Sequence, residues 1–245
     1  MNDEKQLTFM GHLKELRSCL VRAVIAILVA IPISFFAAKY VFDILTRPVP
    51  EAQLIYTEVT EMLGTYTKVT LIIAIIICLP YLVYLVVKFI RPALTKRERN
   101  YVYFMLPAIA ICFLIGATFA YFFLLPPALS FLLTFGSDIA EPMIKVGNYV
   151  SVMTTLLFWV GMVFEIPIII FFLTKIGILK PQWLSKYRKA AYLMAFVLGA
   201  IITPTFDPIN QSLVAIPIIL LYEFGIILSK IAYRGRKSAE VATAS

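Results

Sequence analysis

Three carboxylates stand where their surroundings do not call for one. Glu165 lies inside the run Trp159–Leu173, which carries no other ionisable side chain. A carboxylate at the centre of a bilayer costs about 2.5–3.5 kcal/mol on insertion scales. Pro167, two residues on, withdraws a backbone donor and kinks the helix beside the acid. Such a group is either kept neutral and satisfied within a helix bundle, or it marks a contact for a partner or a substrate inside the membrane. Glu98 is the one acid between Lys88 and Asn100, among the five bases Lys88, Arg91, Lys96, Arg97 and Arg99. Glu15 sits in His12-Leu13-Lys14-Glu15-Leu16-Arg17. There Leu13 and Leu16 share a helical face, while Glu15 and Arg17 point away from it. By charge pattern alone that stretch reads as an interfacial helix with solvated charges.

The elements that must position these groups are membrane helices. Of 245 residues, 61% are hydrophobic and 15% charged, and the mean hydropathy is +0.91. Ordinary globular chains are nearer half apolar and one quarter charged. Six apolar stretches read as transmembrane helices: Cys19–Ala38, Val69–Val87, Tyr101–Leu125, Val150–Thr174, Ala190–Ile202 and Leu213–Leu228. The last two are short, about 20–24 Å against a hydrocarbon core of about 30 Å. They thin the bilayer, borrow flanking residues, lean on other protein, or form a re-entrant hairpin. Five spans carry a proline, Pro32, Pro80, Pro107, Pro167 and Pro217, and a kinked bundle of this kind is able to enclose a concave, lipid-facing hollow. The fold class expected is therefore an all-α membrane protein, six transmembrane helices in a kinked concave bundle. Its parts are an amino-terminal segment 1–18, a membrane domain 19–231 and a basic, disordered tail 232–245. The outer segment after helix 1 holds Glu51, Glu58 and Glu61 and is long enough to form short structure of its own.

The net charge of +8 is a topology signal and not a nucleic-acid footprint. Counted by loop, alternate compartments hold 18 and 4 of the 22 basic residues. By the positive-inside rule this places both termini in the cytoplasm. The three cysteines all lie in apolar spans without metal-ligand spacing, and His12 is the only histidine, so no metal or other cofactor is expected. The amino terminus does not read as a cleavable signal.

Several separated motifs occur in one order along residues 8 to 235. They are His12-Leu13-x-Glu15-Leu16-Arg17, Phe89-x-x-Pro92-Ala93-Leu94 followed by Glu98, and Phe164-Glu165-x-Pro167. The last hairpin adds Thr203-Pro204, Asp207 and Gln211, then Ala215-Ile216-Pro217 and Tyr222-Glu223. Together they resemble the TatC family, the multispanning core of the twin-arginine protein translocase. The loop departs from the usual pattern at Thr95 and Arg97, where relatives carry Tyr and His. The resemblance implies a receptor for the twin-arginine signal peptides of folded precursors, in a bacterial or archaeal cytoplasmic membrane. It assigns Glu15, Arg17, Phe89, Pro92, Leu94 and Glu98 to the signal-peptide site at the cytoplasmic face, and Glu165, Thr203 and Gln211 to contacts with partners or substrate within the membrane. Implied partners are single-span TatA-like and TatB-like subunits, further copies of the chain and the lipid bilayer, with export driven by the proton-motive force. The chemistry suits the assignment, because a guanidinium presents a planar fork of donors that a carboxylate accepts bidentately and lysine does not reproduce.

Two other classes compete. A proton-coupled secondary transporter would use Glu165 as its carrier, and it calls for related broken helices in two repeat halves, whereas residues 19–125 and 150–228 show no internal repeat. A membrane enzyme needs paired aspartates, His-Glu-x-x-His or a Ser/Lys arrangement within the spans, and none is present.

Overall fold

An apolar chain in an apolar solvent must satisfy its backbone from within, which favours helix over every open alternative. The computed structural model describes residues 2–48, 54–90, 96–134, 143–203 and 207–244. Helix α1 spans Asn2–Thr46, α2 Glu61–Ile90 and α3 Lys96–Phe119. A π-helical turn, Ala120–Leu124, leads from α3 into α4, Leu125–Thr134. Then follow α5 (Val146–Val163), α6 (Ile166–Lys175), α7 (Pro181–Lys186), α8 (Arg188–Ile202) and α9 (Pro208–Ala244). Among the described residues the only β pairing is a single bridge between Ile55 and Lys145.

Five helical stretches are long and apolar enough to cross a membrane: Leu13–Thr46, Glu61–Phe89, Met105–Leu132, Val146–Lys175 and Pro208–Gly235. The short apolar stretch Ala190–Ile202 forms α8, whose 15 residues measure about 22 Å. Its neighbour is not short: α9 absorbs Leu213–Leu228 into a helix of 37 residues. The tail expected to be disordered is helical to Ala244, in a stretch rich in Ala, Arg, Lys and Glu, all strong helix formers. Pro126 and Pro127 do not end the third span, because the π turn before them re-registers the backbone and the helix continues as α4. Four of the five span prolines, Pro32, Pro80, Pro107 and Pro217, lie inside continuous helices. Only Pro167 accompanies a break. It sits in the first turn of α6, where a missing N–H costs little, and residues 164 and 165 form the turn that divides the fourth span.

The divided span α5–α6 is the centre of the molecule. Its most apolar window is 44% buried, against 11% for α1 at the periphery. Val150, Met153, Leu156 and Val160 of α5 anchor the main core, joined by Leu45, Val69, Leu125, Ala195 and Val214 from five other helices. Close approach of α3 and α5 comes from a reciprocal interlock. A β-carbon on Gly116 would fall 2.7 Å from Cγ of Phe164, and one on Gly161 would fall 2.6 Å from Cε2 of Phe113. Each phenylalanine thus fills the space that the facing glycine leaves open.

Helix ends are satisfied by other elements. The carbonyls of Ile44 and Leu45, in the last turn of α1, accept hydroxyl hydrogen bonds from Tyr121 (2.9 Å) and Tyr149 (2.8 Å). At the start of α5, Val146 N–H donates to the Ile55 carbonyl at 2.9 Å and Gly147 N–H to Oε1 of Glu61 at 2.9 Å. The outer segment expected to form structure of its own therefore docks on α5 through Ile55 and Glu61.

The interlock makes a sharp expectation. Gly161→Val should overpack the α3–α5 contact and cost about 1–3 kcal/mol. For a chain of this size that lowers the melting temperature by roughly 2–4 °C per kcal/mol. Combining it with Phe113→Ala should recover part of the loss. Thermal unfolding of the detergent-purified single and double variants checks this, and an additive double variant would show that the two residues do not oppose each other.

Candidate functional site

The connections sort into two ends. One end gathers the start of α1, the junction of α2 with α3, helix α7 and the end of α9. The other gathers the junctions of α1 with α2, of α4 with α5, and of α8 with α9. At the first end stand the cations with described side chains Lys14, Arg17, Arg22, Lys88, Lys175, Lys180, Lys186, Arg188, Lys189, Lys230 and Arg234. At the second stand Lys39, Arg47, Lys68 and Lys145.

At the basic end, α1 and α2 run antiparallel in a register fixed by two thiols. Cys19 Sγ–H points at the Leu85 carbonyl (3.8 Å) and Cys78 Sγ–H at the Ala26 carbonyl (3.4 Å), so seven residues along α1 match seven back along α2. One turn before Cys19 is Glu15, and one turn after Leu85 is Phe89. This register brings the two to the same level at the mouth of the bundle. Glu15 and Arg17 are solvent-exposed and Phe89 is half-buried. Glu98 is the third residue of α3 and lies at the same end. Pro92 and Leu94, expected at the same site, lie outside the described residues.

Within the bundle Glu165 occupies the turn between α5 and α6. Its backbone is helical (φ −74°, ψ −20°), and its N–H donates to the Met162 carbonyl at 3.1 Å. The residue is 3% exposed. Neither carboxyl oxygen makes a well-formed hydrogen bond among the described residues. The Phe113 backbone and Cys112 of α3 are within electrostatic reach. Leaving such a buried group unmet costs about 1–3 kcal/mol. A carboxyl in this state is able to accept from, or when protonated donate to, a polar group brought to it.

Thr203 and Gln211 belong to the α8–α9 hairpin at the second end, and both engage the end of α8. Thr203 is buried and donates Oγ1–H to the Gly199 carbonyl at 2.8 Å. Gln211 donates Nε2–H to the Phe196 carbonyl at 2.9 Å, while its own carbonyl lies 2.9 Å from where a Gly199 β-carbon would be. Asp207 caps α9 by accepting from the Asn210 backbone N–H at 2.7 Å and its carboxamide at 2.9 Å. The three groups of expected site residues therefore occupy separate places: Glu15 and Phe89 at the basic end, Glu165 inside the bundle, and Thr203 with Gln211 at the opposite end.

One constellation escaped the reading of the sequence. Glu223 of α9 accepts Arg188 Nη2 at 2.8 Å and the Tyr192 hydroxyl at 2.6 Å, both from the start of α8. The Tyr222 hydroxyl donates to the Leu184 carbonyl of α7 at 2.8 Å. Tyr222-Glu223 was visible as a motif, but Arg188 counted only toward loop charge. An acid in an apolar span near a basic loop was the signal that they pair. Among the described residues no three His, Cys, Asp or Glu side chains come together as a metal site would require.

Residues 11–217 match the family described as Sec-independent protein translocase protein (TatC). A TatC of Aquifex aeolicus is 41% identical over 237 residues, covering 94% of this chain and 98% of its own. A TatCd of Bacillus subtilis is 35% identical, covering 99% of this chain and 100% of its own. The crystal structure of a twin-arginine translocase receptor, TatC, superimposes with a TM-score of 0.79 at 41% identity, covering 90% of this chain and 99% of that one. With motifs, all-helical fold and full-length similarity in agreement, the chain belongs to the TatC family of Sec-independent protein translocase components.

Proposed function

We propose that this chain is the receptor core of a twin-arginine translocase. It binds twin-arginine signal peptides of folded precursors at its basic end and organises partner subunits for export driven by the proton-motive force. In this reading the basic end faces the cytoplasm and α8 is a sixth, short span. The observation that carries the proposal is the α1–α2 register, which sets Glu15 level with Phe89 at the end of α2, at the same end of the bundle as the start of α3 with Glu98. Two acids in a basic surround form a selective reader. The bases repel a cationic peptide everywhere except where a carboxylate meets a guanidinium bidentately. Arg17, Phe89, Pro92 and Leu94 frame that site, and the apolar part of the signal lies along the bundle. Glu165 awaits a polar group from a TatA-like or TatB-like helix, and Thr203 and Gln211 contribute polar contacts to such helices at the opposite end. Further copies of the chain complete the membrane assembly.

Three measurements test the reading. Cysteines placed at Thr95 and Thr205 should label from the cytoplasmic and the outer side respectively, and reversed accessibility would overturn the orientation. Glu15→Ala and Glu98→Ala should each weaken binding of a twin-arginine peptide by about twofold to fivefold, the value of exposed ion pairs, and by more if the site is shielded. Membrane insertion should be intact. Undiminished binding by the double variant removes both acids from the site. Glu165→Gln should retain more export than Glu165→Ala, with neither abolishing peptide binding at the basic end. If Glu165→Ala recruits partners and exports normally, the acid is only a buried bundle residue.

A further inference from the structure

Helix α7 lies across the end of α9, held there by the hydrogen bond from the Tyr222 hydroxyl to the Leu184 carbonyl. Pro181, Gln182 and Ser185 share one face of α7, and Lys230, Tyr233 and Arg234 share one face of α9. These six residues line an open cleft of about 420 Å³. Its polar groups are an ammonium, a guanidinium, two hydroxyls and a carboxamide, with no acid among them. Glu223, two turns away on the same face of α9 as Lys230, is taken up by Arg188 and Tyr192. The Lys175 ammonium lies beside the next residue of α9, its Nζ 3.3 Å from where a Gly235 β-carbon would stand. Two cations with several hydroxyl and amide donors match a phosphodiester, whose oxygens accept and carry one negative charge.

The surroundings choose among phosphate sources. Trp183 of α7 and Tyr187 just after it are 55% and 58% exposed, as suits the headgroup level of a bilayer. Toward the apolar span, Ile227 and Ile231 of α9 are 53% and 58% exposed and offer a surface for acyl chains. Basic pockets between membrane helices at an anionic leaflet bind acidic headgroups in this way. We propose that the α7–α9 cleft is a headgroup site for an anionic phospholipid, which ties the end of α9 to α7 at the membrane surface. The proposal rests on the translocase reading only in taking the basic end as the cytoplasmic leaflet.

The test uses the full chain, purified in mild detergent and offered equal amounts of phosphatidylglycerol and phosphatidylethanolamine, with bound lipid counted by native mass spectrometry. Wild type should retain phosphatidylglycerol preferentially. Lys230→Gln and Arg234→Gln should each reduce that preference about fivefold, the effect of one basic residue near an anionic surface. The exchange Lys230→Arg with Arg234→Lys should preserve it. Lys39→Gln with Arg47→Gln, an equal loss of charge at the opposite end, should leave it unchanged. An unaltered preference in the Lys230→Gln, Arg234→Gln double variant overturns the site. Displacement of the lipid by millimolar glycerol phosphate would assign the cleft to a soluble phosphate ester and overturn the lipid proposal too. Twin-arginine peptide binding is measured on the same samples. Lipid loss with peptide binding retained supports the cleft, whereas peptide binding absent from a lipid-loaded wild type defeats the receptor reading and leaves the cleft standing.

Discussion

A backbone group that emerges from the end of a helix into hydrocarbon has no water to turn to, and the whole arrangement answers that constraint. The carbonyls that close α1 reach the tyrosines of the π turn and of α5. The amides that open α5 reach Ile55 and Glu61, from a segment more than eighty residues earlier. The amide at the third position of α9 reaches Asp207. The first two closures each join two elements, so satisfying those ends also fixes which helices lie side by side. The middles need only shape, and the Phe113–Gly161 and Phe164–Gly116 interlock supplies it for the central pair.

Charge follows the same logic, with one departure. Glu61 accepts backbone donors, Asp207 caps, and Glu223 holds an arginine and a tyrosine. Glu165 does none of these, although it is among the most deeply buried polar groups. It sits at the one place where a span divides and where the α3–α5 contact is tightest. Residues that break a local rule without an internal compensation concentrate at functional sites. That physical anomaly, and not its rarity in the sequence, is what supports the proposed part of Glu165 in assembly or transport.

The basic end is built with a different balance. There α7 lies across α9, and the pairing of Glu223 with Arg188 and Tyr192 fastens the start of α8 beside it. The ion pair is partly open to its surroundings, with side chains 41% and 31% exposed, so its role is alignment more than stability. Around it, basic side chains outnumber acidic ones among the described residues. A surface of this kind rejects cationic peptides unless an acid is offered, and it welcomes anionic lipid. Glu15 and Glu98 stand on one side of that surface and the α7–α9 cleft on another.

Hydropathy and charge asymmetry were enough to read a helical membrane chain, because a run of apolar residues has one stable backbone state in lipid whatever its neighbours are. Motif order was enough to place the chain in its family. The division of the fourth span was partly legible in Pro167. The rest depended on contacts that a linear pattern does not carry. That Pro126-Pro127 continues a helix rests on the π turn before it, and that the tail is helical to Ala244 rests on propensity overriding its polarity. Glu61 was one of three outer acids until α5 came to meet it, and Arg188 was one of many loop bases until α9 presented Glu223. Glu165 was conspicuous from the start, but a sequence places a carboxyl only in an apolar run. Whether a partner waits across the bundle is decided by packing, and here α3 brings phenylalanine and glycine to that level and, among the described residues, no cation.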